Sequence, residues 1–327
     1  MNSIKIDPIK CVVISNPAVG PLRFAEKLPP TTNLVLSNDR GYLEQQMADA
    51  DVLVNAAFSG EPFRSLFPLG KKLRWAHSLS AGVENILSSE LIASPIPLTN
   101  GRGVFRRSLA EFAIGAMLFF AKDLRRMLRN QQAGKWAPFD IEMLEGKTLG
   151  IVGYGEIGQS TATLARAFGM RVLAVRRRAS LSTDDPNLDG VHTPEQLPDM
   201  LAAADYVLIA APNTPETRGM IGEPELNFMK DTAVIVNVGR GPVIVETALV
   251  HALENKRIRG AALDVFDHEP LPEGHPYYSF ENVLLSPHCA DHTVGWVEMA
   301  VDLFIENFKL FEAGQPLKNI VDKKAGY

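Results

Sequence analysis

Cysteine is scarce in the 327 residues: Cys11 and Cys289 are the whole supply. Two thiols are too few for a disulfide framework, so a reducing compartment suits the chain better than an extracellular one. Long apolar runs are missing too. The longest, near Ala113–Ala121, falls well short of the roughly 18 residues a membrane span needs. The opening MNSIKIDPIK lacks the apolar stretch of a signal peptide, and a cytoplasmic protein is expected. Positive charge is not in excess, since 33 Lys+Arg against 38 Asp+Glu leave a net charge of −5. That removes the electrostatic reason to expect nucleic acid or an anionic membrane as partner. No repeat or low-complexity tract occurs. What remains is ordinary globular material, 46% apolar and 22% charged. At roughly 150 residues per domain, the length predicts two domains.

The first hundred residues alternate strand-length apolar runs with helix-length segments: CVVIS (Cys11–Ser15), NLVLS (Asn33–Ser37), VLVNAA (Val52–Ala57) and LRWAHSL (Leu73–Leu79). Turn residues such as Asn16-Pro17 and Ser59-Gly60 stand between them. Continuous apolar strands of this kind predict a parallel sheet covered on both faces. Ser108–Asn130 has helical spacing, a Ser108/Glu111 capping box and arginines at its end, and predicts one long helix. A loop with Gly134 and Pro138 follows. A second series then begins: Leu149–Val152, Arg171–Val175, Asp205–Ala211, Thr232–Val238, Gly260–Phe266 and Asn282–Ser286. This is a doubly wound α/β pattern. The tail Val294–Glu312 predicts a helix ending at Gly314-Gln315-Pro316 that returns to the first domain.

Within the second series, Gly153-Tyr154-Gly155-Glu156-Ile157-Gly158 lies between a strand-like run and a helical one. Glycines at this spacing permit a tight turn, close approach to a pyrophosphate and close helix–strand packing, with the helix N-terminus facing the phosphates. A lone glycine motif is weak, but strand, loop, helix and second strand fall within about thirty residues here. A dinucleotide site is expected. Gly146-Lys147-Thr148 resembles half of a nucleoside-triphosphate loop, but Ile141 stands where its earlier glycine is required, and that reading is discarded. At the end of the next strand, where an NAD site wants a carboxylate, stand Arg176, Arg177 and Arg178, with no acid before Asp184. An arginine fork suits a 2′-phosphate, so NADP(H) is the expected cofactor. A solvated basic strand end is the alternative.

The last three strands of the series are each followed by a polar residue of catalytic type: Arg240, Glu269 and His288. In an open parallel sheet ligands bind outside the carboxyl ends of the strands, the edge that also carries the glycine loop. Arginine, carboxylate and histidine are therefore expected to converge. Singly, each has an ordinary alternative as a sheet-edge cap, a surface acid or a satisfied loop histidine.

The segments NVGRGPVIVETAL, ALDVFDHEPLP and LLSPHCA are similar to signature segments of the D-isomer-specific 2-hydroxyacid dehydrogenases. Ala211–Gly222 and LGIVGYGEIG resemble further segments, and the resemblance runs from about Leu79 to Asp322. It implies that Arg240 binds the substrate's carboxylate and carbonyl, that His288 is the acid/base and that Glu269 pairs with it. It places a backbone cradle for the carboxylate at Ser80-Ala81-Gly82-Val83 and sets Asp264 against the nicotinamide amide. Pro212, Thr217 and Val238 join Gly153, Gly155, Glu156, Ile157, Gly158, Arg176 and Arg177 as cofactor-binding candidates. The implied fold is two doubly wound, Rossmann-like parallel-sheet domains. A cofactor domain (101–292) is inserted into a flavodoxin-like substrate domain (1–100 and 293–327), and the two crossings near 101 and 292 form a hinge over the cleft. A homodimer is implied, with the helix near Ser108–Asn130 in its interface. The expected activity is NADPH-dependent reduction of small 2-keto acids, glyoxylate and hydroxypyruvate foremost. Reduction of bulkier acids such as phenylpyruvate, or a dinucleotide-sensing role like that of transcriptional corepressors, are the alternatives. No metal is needed for this chemistry.

His288-Cys289-Ala290-Asp291-His292 departs from the small-residue pattern common after the family's histidine. His288 and His292 stand four apart like zinc ligands, but Pro287 argues against a helical register, and His292 is expected to line the pocket or start a helix. Cys289 is expected to be a buried, inert thiol rather than a redox switch. His268 is expected to face solvent. Trp136 and Phe139 either pack locally or reach a neighbouring subunit's pocket, and Arg102, Phe105 and Arg106 are candidates for lining the cleft.

Overall fold

The computed structural model describes residues 8–16, 22–57 and 59–327. The opening seven residues and Pro17 of the Asn16-Pro17 turn lie outside the described residues. Along the chain come β1 (Lys10–Ile14), α1 (Phe24–Lys27), β2 (Asn33–Ser37), α2 (Arg40–Gln46), β3 (Val52–Asn55), α3 (Glu61–Leu66), β4 (Trp75–Ser78), α4 (Ser89–Ala93) and β5 (Leu98–Asn100). The helices α5 (Arg106–Ala121) and α6 (Leu124–Gln132) follow. Then come β6 (Thr148–Val152), α7 (Glu156–Ala167), β7 (Arg171–Val175), β8 (Gly190–His192), α8 (Leu197–Ala203), β9 (Tyr206–Ile209) and α9 (Glu223–Phe228). The chain closes with β10 (Val234–Asn237), α10 (Glu246–Glu254), β11 (Gly260–Leu263), β12 (Val283–Leu285) and α11 (Trp296–Glu312). Among the described residues no helix is long and apolar enough to cross a membrane.

Two compact units emerge, one of residues 1–105 with 294–327 and one of 106–293. The first holds a five-stranded sheet in the order β2-β1-β3-β4-β5, and the second a seven-stranded sheet ordered β12-β11-β10-β9-β6-β7-β8. Every strand pair is parallel. The expected pair of doubly wound parallel sheets is what the chain forms. Strands β1, β3, β6, β9 and β10 are buried along their whole length, as strands covered on both faces must be. The strands β5 (Leu98-Thr99-Asn100) and β8 (Gly190-Val191-His192) are missing from the strand-length runs because each carries a single large apolar residue, whereas the equally short β12 is Val283-Leu284-Leu285.

In the first unit, Trp75 and Phe304 stack with ring centroids 5.1 Å apart, joining β4 to α11. The Trp75 indole N–H donates to Thr99 Oγ1 (2.8 Å), and the Thr99 hydroxyl meets His77 Nδ1 at 2.7 Å. Burial pushes His77 down to about 3, so the imidazole is neutral in this core.

The expected single helix over Ser108–Asn130 is two. The carbonyls that would continue α5 are taken elsewhere: Phe120 O accepts from Arg259 (2.7 Å) and Ala121 O from the Glu142 N–H (2.8 Å). Asp123 then turns left-handed (φ 46°) and caps α6, its carboxylate accepting from Arg126 N at 3.3 Å. The expected capping box is absent as well, because α5 begins two residues earlier. Ser108 instead donates to Ala290 O, and Glu111 pairs with Arg107 at 2.6 Å. The final helix starts at Trp296, two residues later than expected.

Candidate active site

In the second unit, β6 sits between β9 and β7, where the strand order reverses. An open sheet presents a ligand crevice at that point. Gly153 has φ 94°, and a Cβ there would lie 2.6 Å from Ala211 N, so only glycine fits between the ends of β6 and β9. A Cβ at Gly158 would come within 2.6 Å of Gly153 O, which explains how α7 packs so close to its strand. At Gly155, the residue before α7, a Cβ would meet nothing within 4 Å. That open space lies over the helix N-terminus, where free N–H groups and the helix dipole favour an anion. The residues thus fit a dinucleotide diphosphate. Of the other loop candidates, Ile157 is half-buried, and Glu156 is held by Arg106 Nη1 at 2.9 Å.

β7 ends at Val175, and the three arginines follow directly. Arg176 is half-buried: its N–H donates to His192 O (3.1 Å), and its guanidinium donates to the buried Ser182 hydroxyl. Arg177 and Arg178 are exposed. Glu216 is held low first by the Thr214 hydroxyl and further by the charge of Arg177, which places that arginine near the turn after β9. In this turn Thr217 donates to Pro212 O at 2.6 Å, so both candidates share one loop. A carboxylate missed in the sequence also reaches the glycine loop. Asp185 accepts from the hydroxyl of the buried Tyr154 at 2.9 Å, and burial together with this partner pushes the phenol up.

At the same sheet edge, β10, β11 and β12 deliver the other candidates. Val238 is buried just beyond β10. Asn237, the buried last residue of β10, donates to Arg240 O (3.1 Å) and accepts from Gly239 N (3.0 Å). It fixes the turn that carries Arg240, whose guanidinium donates to Gly239 O at 2.7 Å. Asp264, 1% exposed, follows β11. Its Oδ1 accepts from Ser286 Oγ (2.6 Å), Cys289 N (3.0 Å) and Ala290 N (3.1 Å), while its carbonyl accepts from His288 N (2.9 Å). Asp264 therefore holds the loop on which His288 stands with φ 50°, a left-handed conformation that costs about 1–3 kcal/mol in a non-glycine residue.

That posture brings His288 Nδ1 to 2.6 Å from Glu269 Oε2, while Glu269 Oε1 accepts from Phe266 N at 2.9 Å. Opposite a carboxylate, Nδ1 carries its proton and Nε2 is the nitrogen left for other work. The hydrogen bond to Glu269 raises the His288 pKa, outweighing burial and the nearby charge of Arg240. Burial pushes Glu269 up, but the bonds from His288 and Phe266 N and the charges of His288 and Arg240 hold it below the usual carboxylate range. The three side chains foreseen at successive strand ends thus sense one another's charge.

The surroundings correct several expectations. Cys289 is exposed, not buried, because its backbone N–H is tied to Asp264 while its sulfur lies 3.4 Å from Ser286 Oγ at the loop surface. His292 is neither in a helix nor helix-starting; it lies four residues before α11 with Nε2 3.6 Å from Asp291. Burial raises the Asp291 pKa. The His268 side chain is 81% exposed, facing solvent as expected. Trp136 is 96% exposed and so packs on nothing within the chain, whereas Phe139 lies under Arg126, 4.1 Å from its ring centroid.

In the first unit, the proposed cradle forms the turn after β4. Gly101 N donates to Ser80 O (3.0 Å), Asn100 donates to Ala81 O (2.6 Å), and Val83 is buried while Gly82 is half-buried. Arg102 is exposed. Phe105 is buried against Trp296, with ring centroids 6.0 Å apart.

Residues 114–290 match the family described as D-isomer specific 2-hydroxyacid dehydrogenase, NAD binding domain. A glyoxylate reductase of Korarchaeum cryptofilum is 33% identical over 311 residues, 92% of this chain and 89% of the relative. Among solved structures, a D-isomer specific 2-hydroxyacid dehydrogenase family protein from Aeromonas salmonicida superposes with a TM-score of 0.84 at 29% identity, covering 96% of this chain and 99% of that one. The NADPH-dependent glyoxylate/hydroxypyruvate reductase of Sinorhizobium meliloti, solved with NADP and malonate, gives 0.78 at 28% identity over 98% of both chains.

Proposed function

The chain belongs to the D-isomer specific 2-hydroxyacid dehydrogenase family, and from that premise we propose that it reduces small 2-keto acids, glyoxylate and hydroxypyruvate foremost, with NADPH. The observation that carries this reading is the 2.6 Å contact between His288 and Glu269 beside the charge of Arg240, at the sheet edge that bears the glycine loop. When bound, the dinucleotide supplies the hydride for C2 of the keto acid. His288 holds the proton for the carbonyl oxygen at Nε2, and Glu269 keeps the ring oriented and protonated. Arg240 presents a planar fork to the carboxylate and offsets charge growing on the carbonyl oxygen. In the first unit, the turn at Ser80, Ala81 and Gly82 is proposed to receive the carboxylate through backbone N–H groups.

For the cofactor, Gly153, Gly155, Ile157 and Gly158 are proposed to hold the diphosphate, with Pro212, Thr217 and Val238 along its path and Asp264 near the nicotinamide amide. Arg176 and Arg177 are proposed to grip the 2′-phosphate; the NADP in the Sinorhizobium relative supports that choice. Competition tests the size of the substrate. With hydroxypyruvate and phenylpyruvate supplied together, NADPH is expected to be consumed with hydroxypyruvate as the preferred acceptor. Preference for phenylpyruvate assigns the chain to bulkier acids instead.

A homodimer is proposed through α6 and the loop beyond it. Leu128 (55%), Trp136 (96%), Ile141 (49%) and Met143 (58%) are exposed within one short stretch of the chain, and large apolar side chains left in water so close together in sequence favour an interface. Sedimentation is expected to give twice the chain mass, and the double change Leu128→Glu with Met143→Glu is expected to halve it. A monomeric native chain contradicts the proposal.

A further inference from the structure

We propose that Arg106 and Glu156 form a charge clamp at the diphosphate end of the dinucleotide site: Glu156 holds Arg106 beside the N-terminus of α7 and restrains the affinity for the dinucleotide, while Arg106 cancels the carboxylate and presents a guanidinium to the diphosphate. The inference rests on the NADP(H) reading above.

Glu156 is the first residue of α7, next to Gly155 and its open space. An acidic residue in the first turn stabilises a free helix through the dipole, but it opposes a second anion at the same place. The dinucleotide brings such an anion. Arg106, the first residue of α5, donates from Nη1 to Glu156 Oε2 at 2.9 Å. Its neighbour Arg107 is engaged by Glu111 at 2.6 Å, so Glu156 is the carboxylate that takes Arg106. The side chains of Arg106 and Glu156 are 58% and 40% exposed, and an ion pair this open to water holds weakly. Arg106 can therefore turn from the carboxylate to a phosphate oxygen with little loss. Without it, a diphosphate entering beside Gly155 meets an uncompensated carboxylate at the helix end. With it, the pair is neutral before binding, and the guanidinium is already in place.

The test measures dissociation constants by calorimetry for NADPH and for adenosine 2′-phosphate, which keeps the 2′-phosphate and lacks the diphosphate. The proteins are the native chain, Arg106→Ala, Arg106→Lys, Glu156→Gln and the double variant Arg106→Ala with Glu156→Gln. At charge separations of a few ångströms in a wet site, Glu156→Gln is expected to tighten NADPH about three- to tenfold, and Arg106→Ala to loosen it by a similar factor. The double variant is expected close to the native value, and Arg106→Lys closer to native than Arg106→Ala. Adenosine 2′-phosphate is expected to bind all five proteins alike. Unchanged or weaker NADPH binding by Glu156→Gln overturns the clamp, and so does an equal shift for both ligands. A native chain that binds neither ligand overturns the NADP(H) reading itself, a separate result.

Discussion

Replacing His288 with asparagine is expected to lower kcat for keto-acid reduction by about 10²–10⁴-fold, the usual worth of a positioned proton donor. NADPH binding is expected to stay at the native value. Asparagine can keep a hydrogen bond toward Glu269, which His288 meets at 2.6 Å, but it has no proton to give. The pH dependence follows from the same contact. The His288 pKa is raised above its ordinary 6.5, chiefly by the hydrogen bond to Glu269. Reduction uses the protonated ring, so kcat/KM for reduction is expected to hold through neutral pH and fall as pH rises through that raised pKa. Oxidation of the hydroxy acid uses the neutral ring and is expected to rise over the same window. Removing the largest cause, as in Glu269→Gln, moves both transitions to lower pH. Near-normal turnover by His288→Asn assigns the proton transfer to another group.

The second large effect concerns the cofactor. Changing Arg176 and Arg177 to alanine together is expected to raise KM for NADPH by about 10–100-fold, as loss of charge-assisted hydrogen bonds worth roughly 1.5–3 kcal/mol implies. KM for NADH is expected to change little. The arginines follow β7 at the position where an NAD site places its acid, and Arg176 is already half-buried and steadied by Ser182. Equal losses with both cofactors mean the arginines serve only as solvated charge.

Part of the site is legible in the amino-acid sequence alone, and the reason is topological. Strands that run parallel deliver their carboxyl ends to one edge, so Arg240, Glu269 and His288 are convergent by their place in the chain. The glycine spacing is equally legible, because Gly153 and Gly158 answer to local steric limits. The supports of the site are hidden. Asp264 holds the His288 loop through backbone groups 25 and 26 residues away, and no local pattern announces such a partner, whereas Asn237 holds the Arg240 turn from only three residues away. Asp185 reaches Tyr154 across 31 residues, whereas the sequence shows only that an acid is missing from the usual place. The break at Asp123 does leave a signal, since aspartate inside a helical run favours a cap. The apolar periodicity on both sides masks it. The exposure of Cys289 depends on how Asp264 draws in the backbone beside it, again a tertiary matter.

The most direct measurement is the consumption of NADPH by the purified chain when glyoxylate or hydroxypyruvate is added, with the hydroxy acid formed counted against the cofactor oxidised. The expected result is ready turnover, one hydroxy acid for each NADPH, with NADH a poorer donor. Binding of NADPH without turnover of these or any other 2-keto acid contradicts the reductase and leaves a protein that senses the dinucleotide.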